Sequence, residues 1–222
     1  MPAFRSVAAV SVAALSIAAS IATWIAPAAA AEPSAYSPAT AAIDTTCNAD
    51  RAKASAADVV RMVRFAAAGD TLGAWRSASD ADVSRLAAQT DFAAGELATI
   101  VFDRSAVVSA DVAHSDSAAA SVVTRAWCFI GGKLARATAD VTFTVRGDGY
   151  RRTRYYGDDL GQPLGETMLE KSPMLEKLPR GKAFVAPSKD VDAMIAIDPI
   201  ARPIDLPFYA AAESARAYRP KP

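Results

Sequence analysis

Residues 133–145, KLARATADVTFTV, alternate in polarity. Ala137, Ala139, Val141, Phe143 and Val145 fall on one side, and Arg136, Thr138, Asp140, Thr142 and Thr144 on the other. Successive side chains of an extended backbone point to opposite faces, so this pattern commits the chain to a strand with one apolar face and one wet face. Such a strand needs partners. Gly131-Gly132 is a two-residue hairpin signal joining it to AAASVVTRAWCFI on its N-terminal side. That turn sets Cys128 opposite Ala135, Ala126 opposite Ala137, Thr124 opposite Ala139 and Val122 opposite Val141, all on the Phe143 side. Trp127, Phe129 and Leu134 then point the other way, an outer apolar cluster that needs cover from the C-terminal tail or from a partner.

On the C-terminal side stands TVRGDGYRRTRYY. A two-residue Asp148-Gly149 loop would put Arg152 and Arg154 opposite Val145 and Phe143 and bury both. A three-residue loop, Gly147-Asp148-Gly149, shifts the register by one. It pairs Phe143 with Thr153, Val141 with Tyr155, Thr142 with Arg154 and Thr144 with Arg152. The arginines then sit on a solvated face, with Asp140 diagonal to Arg154. Upstream, ELATIVF and SAVVSADVAH are rich in β-branched residues and read as two further strands. SAADVVRMVRFAAAG places Val59, Met62, Val63 and Ala66 at helical spacing and predicts a helix over 55–69, and SDADVSRLAAQ predicts another, capped by Ser79 or Asp80. Glu166 and Glu170 read as the wet face of a short helix, and FYAAAESARAY as a terminal one. The proline-rich stretch 180–208 keeps apolar anchors and is expected to wrap the domain. The expected architecture is α+β: N-terminal helices packed on an antiparallel meander sheet, with an extended proline-rich C-terminal tail.

The N-terminus bears on compartment. Arg5 precedes an uncharged apolar run over residues 6–26, Pro27 breaks it, and AAAA offers small residues before Glu32. This is the pattern of a secretory signal peptide over 1–31, with an uncleaved anchor as the rival reading. Residues 32–54 read as a flexible lead-in, 55–165 as the α+β domain and 166–222 as the tail. Two cysteines, Cys47 and Cys128, in an exported chain predict one disulfide. With 24 basic against 24 acidic residues, nothing in the charge balance asks for nucleic acid or an anionic membrane.

VVRMVRFAAAGDTLGAW resembles the first helix and turn of the NTF2-like (SnoaL-like) superfamily, in which an apolar helix ends in Ala-x-x-Gly-Asp, here Ala66 to Asp70. GGKLARATADVTFTVRGDGYRRTRYY is similar to that superfamily's last two strands. The resemblance covers about residues 55–157 and implies a cone-shaped sheet with a helix-lined pocket. It does not choose between isomerase or dehydratase activity, ligand binding and partner binding, because fold does not select function.

Catalytic constellations are scarce. His114 is the single histidine, which excludes multi-histidine metal sites. SADVAHSDS places Asp111 and His114 close in sequence, but three residues apart on a strand they face opposite ways, and a triad is a matter of geometry. Thr124, Ala126, Ala137 and Ala139 leave room on the Phe143 side for a close helix or for a ligand. A ligand would meet Thr124, Arg151, Thr153 and Tyr155 as polar groups and Phe143 as an apolar wall. The expected function is an exported, non-catalytic binding or interaction module of the cell envelope or exterior, needing neither metal nor cofactor. Its partner is a small apolar ligand or an envelope protein, with Trp127, Phe129, Arg152 and Arg154 as the partner surface and a homodimer as a further option. The alternative is a small acid/base enzyme of isomerase or dehydratase type that uses His114 or Asp111.

Protein exported from its own leader should have the denatured mass of residues 32–222 less two hydrogens. A mass that retains 1–31 identifies an anchor, and a full complement of hydrogens refutes the disulfide.

Overall fold

The computed structural model describes residues 37–55, 58–66, 72–88, 95–116, 120–145, 147–171 and 188–218. The leader therefore lies outside the described residues, as does the stretch 172–187. Helix α1 (Pro38–Lys53) opens the fold, followed by β1 (Val59–Phe65), β2 (Arg76–Ser77), α2 (Asp80–Ala88), β3 (Gly95–Asp103), β4 (Ala106–Asp116), β5 (Ser121–Ile130), β6 (Lys133–Phe143), β7 (Gly149–Tyr155) and β8 (Gly165–Lys171). Helix α3 (Lys189–Met194), a 3₁₀ turn (Pro203–Asp205) and α4 (Tyr209–Ala217) complete it. The strands form one antiparallel sheet of order β2-β1-β3-β4-β5-β6-β7-β8. The fold is α+β with an antiparallel sheet. Among the described residues no helix is long and apolar enough to cross a membrane.

The register divides the sheet into two faces of different chemistry. Val60, Met62, Ala98, Ile100, Ala110, Val123, Trp127, Ala137, Ala139 and Val141 occupy one, the core face, and are buried. Ile195, Ile197, Leu206, Phe208 and Ala212 of the C-terminal segment join them in one hydrophobic cluster. The attachment is also polar: Leu134 N–H donates to Ala201 O at 3.1 Å, and Trp127 Nε1 to Asp198 O at 3.5 Å. Phe208 meets the Trp75 ring edge-on at 5.3 Å. The other face, the helix face, carries α1.

Several expectations are corrected. The segment 55–69 is not a helix, since Val59–Phe65 is a strand between β2 and β3. Val59, Met62, Val63 and Ala66 fit helical spacing, but the β-branched residues prefer the pleated sheet, where Val60 and Met62 face the core and Val63 is buried behind them. The lead-in is helical from Pro38, because Ser37 caps the Thr40 N–H and Pro38 occupies the first turn. Glu166 and Glu170 lie on a strand, β8, paired to β7 opposite Arg154 and Tyr150. The expected strands at β3 to β6 and the helix capped by Ser79 are present, with Asp82 N–H donating to Ser79 Oγ at 3.2 Å.

Both hairpins depart from the expected register. Gly131 and Gly132 have φ of +59° and +78° and form the turn, with Ile130 opposite Lys133 and Phe129 opposite Leu134. A bulge then follows, and Cys128 pairs with Arg136 and Trp127 with Ala137. One extra residue reverses which side each neighbour faces. Ala137 and Ala139 therefore share a face with Trp127, while Thr124 and Ala126 face the opposite way. In the next hairpin, Thr142 pairs with Gly149 and Asp140 with Arg151, so the loop is longer than expected and Val145 stands 84% exposed beyond the strand. Arg152 and Arg154 consequently flank Ala139 and Ala137 on the core face instead of a solvated one. Glu166 meets both guanidiniums, and Asp192 of α3 also binds Arg152, which makes their placement there tolerable.

Gly149 is held by this register, because a Cβ there would lie 2.0 Å from Val141 O. Gly149→Ala should lower the urea-unfolding free energy by about 2 kcal/mol through overpacking. Gly157→Ala, whose Cβ would meet only Leu164 carbons at 3.5 Å or more, should change it little.

Candidate functional site

Three rows of side chains cross the helix face. The first runs Val101, Ser109, Cys128, Arg136, Tyr155, Gly165, and α1 lies along it. Thr40, Asp44, Cys47 and Arg51 recur at spacings of four, three and four, which is one helical stripe facing the sheet. Each has a partner there. Thr40 Cγ2 would lie 3.3 Å from a Cβ on Gly165. Asp44 accepts from Arg136 Nη1 at 2.5 Å and from the Tyr155 hydroxyl at 2.9 Å. Cys47 and Cys128 form a disulfide with Cα atoms 5.9 Å apart. Arg51 Nη2 donates to Asp111 Oδ1 at 3.0 Å. The bridge spans 81 residues, a loop whose closure stabilises the fold by about 4–5 kcal/mol on the chain-entropy model.

The second row, beside α1, reads Thr99, Asp111, Ala126, Thr138, Thr153, Thr167, and the third Leu97, Ala113, Thr124, Asp140, Arg151, Leu169. Apart from Thr153, which is buried, these residues are half-buried. Thr138 and Thr153 share a hydroxyl hydrogen bond of 3.2 Å. Asp140 accepts from Arg151 Nε at 2.8 Å and also binds Lys171, whose Nζ stands at the end of β8. Burial holds the Lys171 ammonium below its ordinary pKa, and Arg151 adds to that, while Asp140 opposes it. Burial likewise raises the Asp111 carboxyl against the pull of Arg51 and of a hydrogen bond from Thr99.

The structure gathers Thr124, Arg151, Thr153 and Tyr155 on this face, with Tyr155 buried under α1. Phe143 is on the opposite face, packed against the core. Trp127 and Phe129 are 6% and 1% exposed, covered by the chain's own residues, so they and the ion-paired Arg152 and Arg154 form no open apolar patch. His114 faces the core side and Asp111 the helix side of β4, as their spacing requires, so the two cannot act on one substrate atom. Sequence reasoning missed Asp44, Arg51, Thr138, Asp140, Thr167 and Lys171 as site residues. The stripe through 40, 44, 47 and 51 carried the signal for the first two, but it is polar and escapes a search for apolar periodicity.

Among the described residues, no group of acids, cysteines and histidine has the arrangement of a metal site. A cavity of about 70 Å³ lies between α1 and the β3–β4 turn, lined by Asp50, Lys53, Ala54, Asp58, Phe102 and Asp103. That is well below the roughly 300 Å³ at which small-molecule pockets begin. Comparison with protein-family models, curated proteins and solved structures finds no match to this chain.

Asp111 supplies a pH signature. Its folded-state pKa lies above the unfolded value near 3.9, so its contribution to stability is fully present below that pH and is lost as pH rises through the folded value. The urea midpoint of the native chain, measured relative to Asp111→Asn, should therefore fall between pH 3 and pH 7. A rise would show that Arg51 outweighs burial.

Proposed function

We propose that this chain is an exported, non-catalytic binding module of the cell envelope or exterior, and that its ligand surface is the polar part of the sheet beside α1. One observation carries this reading. Contiguous half-buried rows of threonine hydroxyls and paired charges, centred on Thr138, Thr153, Asp140 and Arg151, occupy a sheet face that an apolar core would otherwise claim. Hydroxyls offer both donors and acceptors, and Arg151 offers a planar donor fork. That chemistry suits a hydroxyl- and carboxylate-bearing ligand, a glycan or an acidic protein segment, better than the small apolar ligand expected from sequence. The disulfide supports export, since such bridges persist in oxidising compartments. A cone-like curl of the sheet and a wrapping C-terminal tail belong to the same reading, in which the tail is a structural cover.

A second reading keeps acid/base chemistry on the same face. The raised carboxyl of Asp111 favours it, because burial tunes an acid toward proton transfer. His114 has no part in it.

Native mass spectrometry of the protein purified from its own envelope, compared with an Asp140→Ala/Arg151→Ala variant, tests the binding reading. The native chain should carry a polar adduct or a bound protein at least about tenfold more often than the variant, a loss of some 1.4 kcal/mol in affinity. Equal occupancy, or an empty native chain, refutes it. A ligand returned chemically altered, and unaltered by Asp111→Asn, moves the assignment to the enzyme.

A further inference from the structure

We infer that α1 is a tethered arm whose docking on the sheet is conditional on the Cys47–Cys128 disulfide, so that a dithiol reductant releases it while the rest of the domain stays folded. The inference starts from what α1 lacks. No α1 side chain belongs to the hydrophobic cluster that joins the strands to residues 195–212, and only Thr40 and Cys47 of the helix are buried. A helix without an apolar stripe brings little apolar surface of its own to the contact, and what docking buries is mainly the Tyr155 ring and the two cysteines.

What remains besides the covalent bond is two ion pairs and the hydrogen bond that the Tyr155 hydroxyl donates to Asp44. Arg51 and Asp111 are 38% and 19% exposed, Arg136 and Asp44 24% and 21%. Both pairs are part-buried, so the cost of stripping water from their charges offsets much of their attraction, and they orient the helix more than they hold it. Undocking also relieves costs. Ser109 Oγ, buried in the row beneath α1, has no hydrogen-bond partner among the described residues and would gain one from water. The Asp111 carboxyl, raised by burial, would be rehydrated. By contrast, the core face keeps every contact, because its cover comes from the other end of the chain. Once free, a helix of 16 residues is marginal in water, so release and melting of α1 coincide.

The chemistry balances. One thiolate of the dithiol attacks a disulfide sulfur and forms a mixed disulfide. The second thiol closes the reductant's own disulfide, and Cys47 and Cys128 leave as thiols, with two electrons and two protons transferred. Both cysteines are 3% exposed, so attack requires the last turn of α1, which carries exposed Ala52 and Lys53, to lift first. Release uncovers Ser109, Asp111, Cys128, Arg136 and Tyr155, and these extend the polar rows beside them into one continuous face.

Hydrogen exchange on the full chain, oxidised and then reduced with dithiothreitol, provides the test, with reduction confirmed by a gain of two hydrogens. Protection in residues 38–53 should fall by at least about 100-fold, with a matching loss of helical far-UV signal, while peptides from β5 and β6 change by less than about threefold. The Cys47→Ser/Cys128→Ser variant should behave as the reduced protein does. Retained protection in 38–53 would show that the ion pairs hold α1 alone. Loss of protection in β5 and β6 along with α1, or a variant that fails to fold, would show that the bond holds the whole domain. Any of these results overturns the inference.

Discussion

The bulge between Cys128 and Phe129 decides where everything else in the fold can go. Two residues of β6, Ala135 and Arg136, span the step between Leu134 and Ala137, and the step places Trp127 on the face of Ala137 and Cys128 on the face of Arg136. Trp127 can then be covered by the C-terminal segment, and Cys128 can reach α1. Without that residue the remainder of β5 would slip by one against β6, and the indole would contend with α1 while the thiol faced the C-terminal chain. The two layers that enclose the sheet therefore depend on a single irregularity in its central hairpin.

Those layers are held by different physics. The C-terminal layer is joined by burial of large apolar groups, with Ile195, Phe208 and Ala212 fully enclosed, and by cation–π contacts such as Arg216 over Phe102 at 4.5 Å. The N-terminal layer is joined by a disulfide, two carboxylate–guanidinium pairs and a tyrosine hydroxyl. The first rests mainly on burial, with the Arg152–Asp192 pair as its ionic part, whereas the second depends on ion pairs and on redox conditions. Arg152 shows how strictly the division is kept: a guanidinium on the apolar side is accepted because Glu166 and Asp192 close around it.

Much of the sheet was legible in the sequence because period-two alternation and β-branched content are local properties. β3 to β6, the Gly-Gly turn and the capped α2 all follow from neighbouring residues, and the pairing of the cysteines follows from there being only two. The misreadings arose where a local pattern was degenerate or where tertiary contact decided. Val59 to Ala66 suits either period, and only its place between β2 and β3 selects the strand. A bulge leaves no mark on composition, so the faces of Thr124, Phe143, Arg152 and Arg154 were assigned wrongly once the register slipped. The candidate site was read in part. Thr124, Arg151, Thr153 and Tyr155 do share a face, whereas Asp44 and Arg51 belong to a helix whose stripe is polar and is recognised by its partners, not by its own hydropathy.

The order of strands in the sheet nearly follows their order in the chain, the exception being β1, which sits between β2 and β3. Each hairpin can close on its predecessor as synthesis proceeds, so little sequence separates most contacting segments and pairing propagates with low loop-closure entropy. Cys47 breaks this locality, for its partner is made 81 residues later. During that interval the thiol on α1 waits while β1 to β4 assemble, and the helix has no apolar stripe with which to dock early. The disulfide thus cannot close until Cys128, near the end of β5, has been made, and a nascent chain that stops short of Cys128 carries Cys47 as an unpaired thiol.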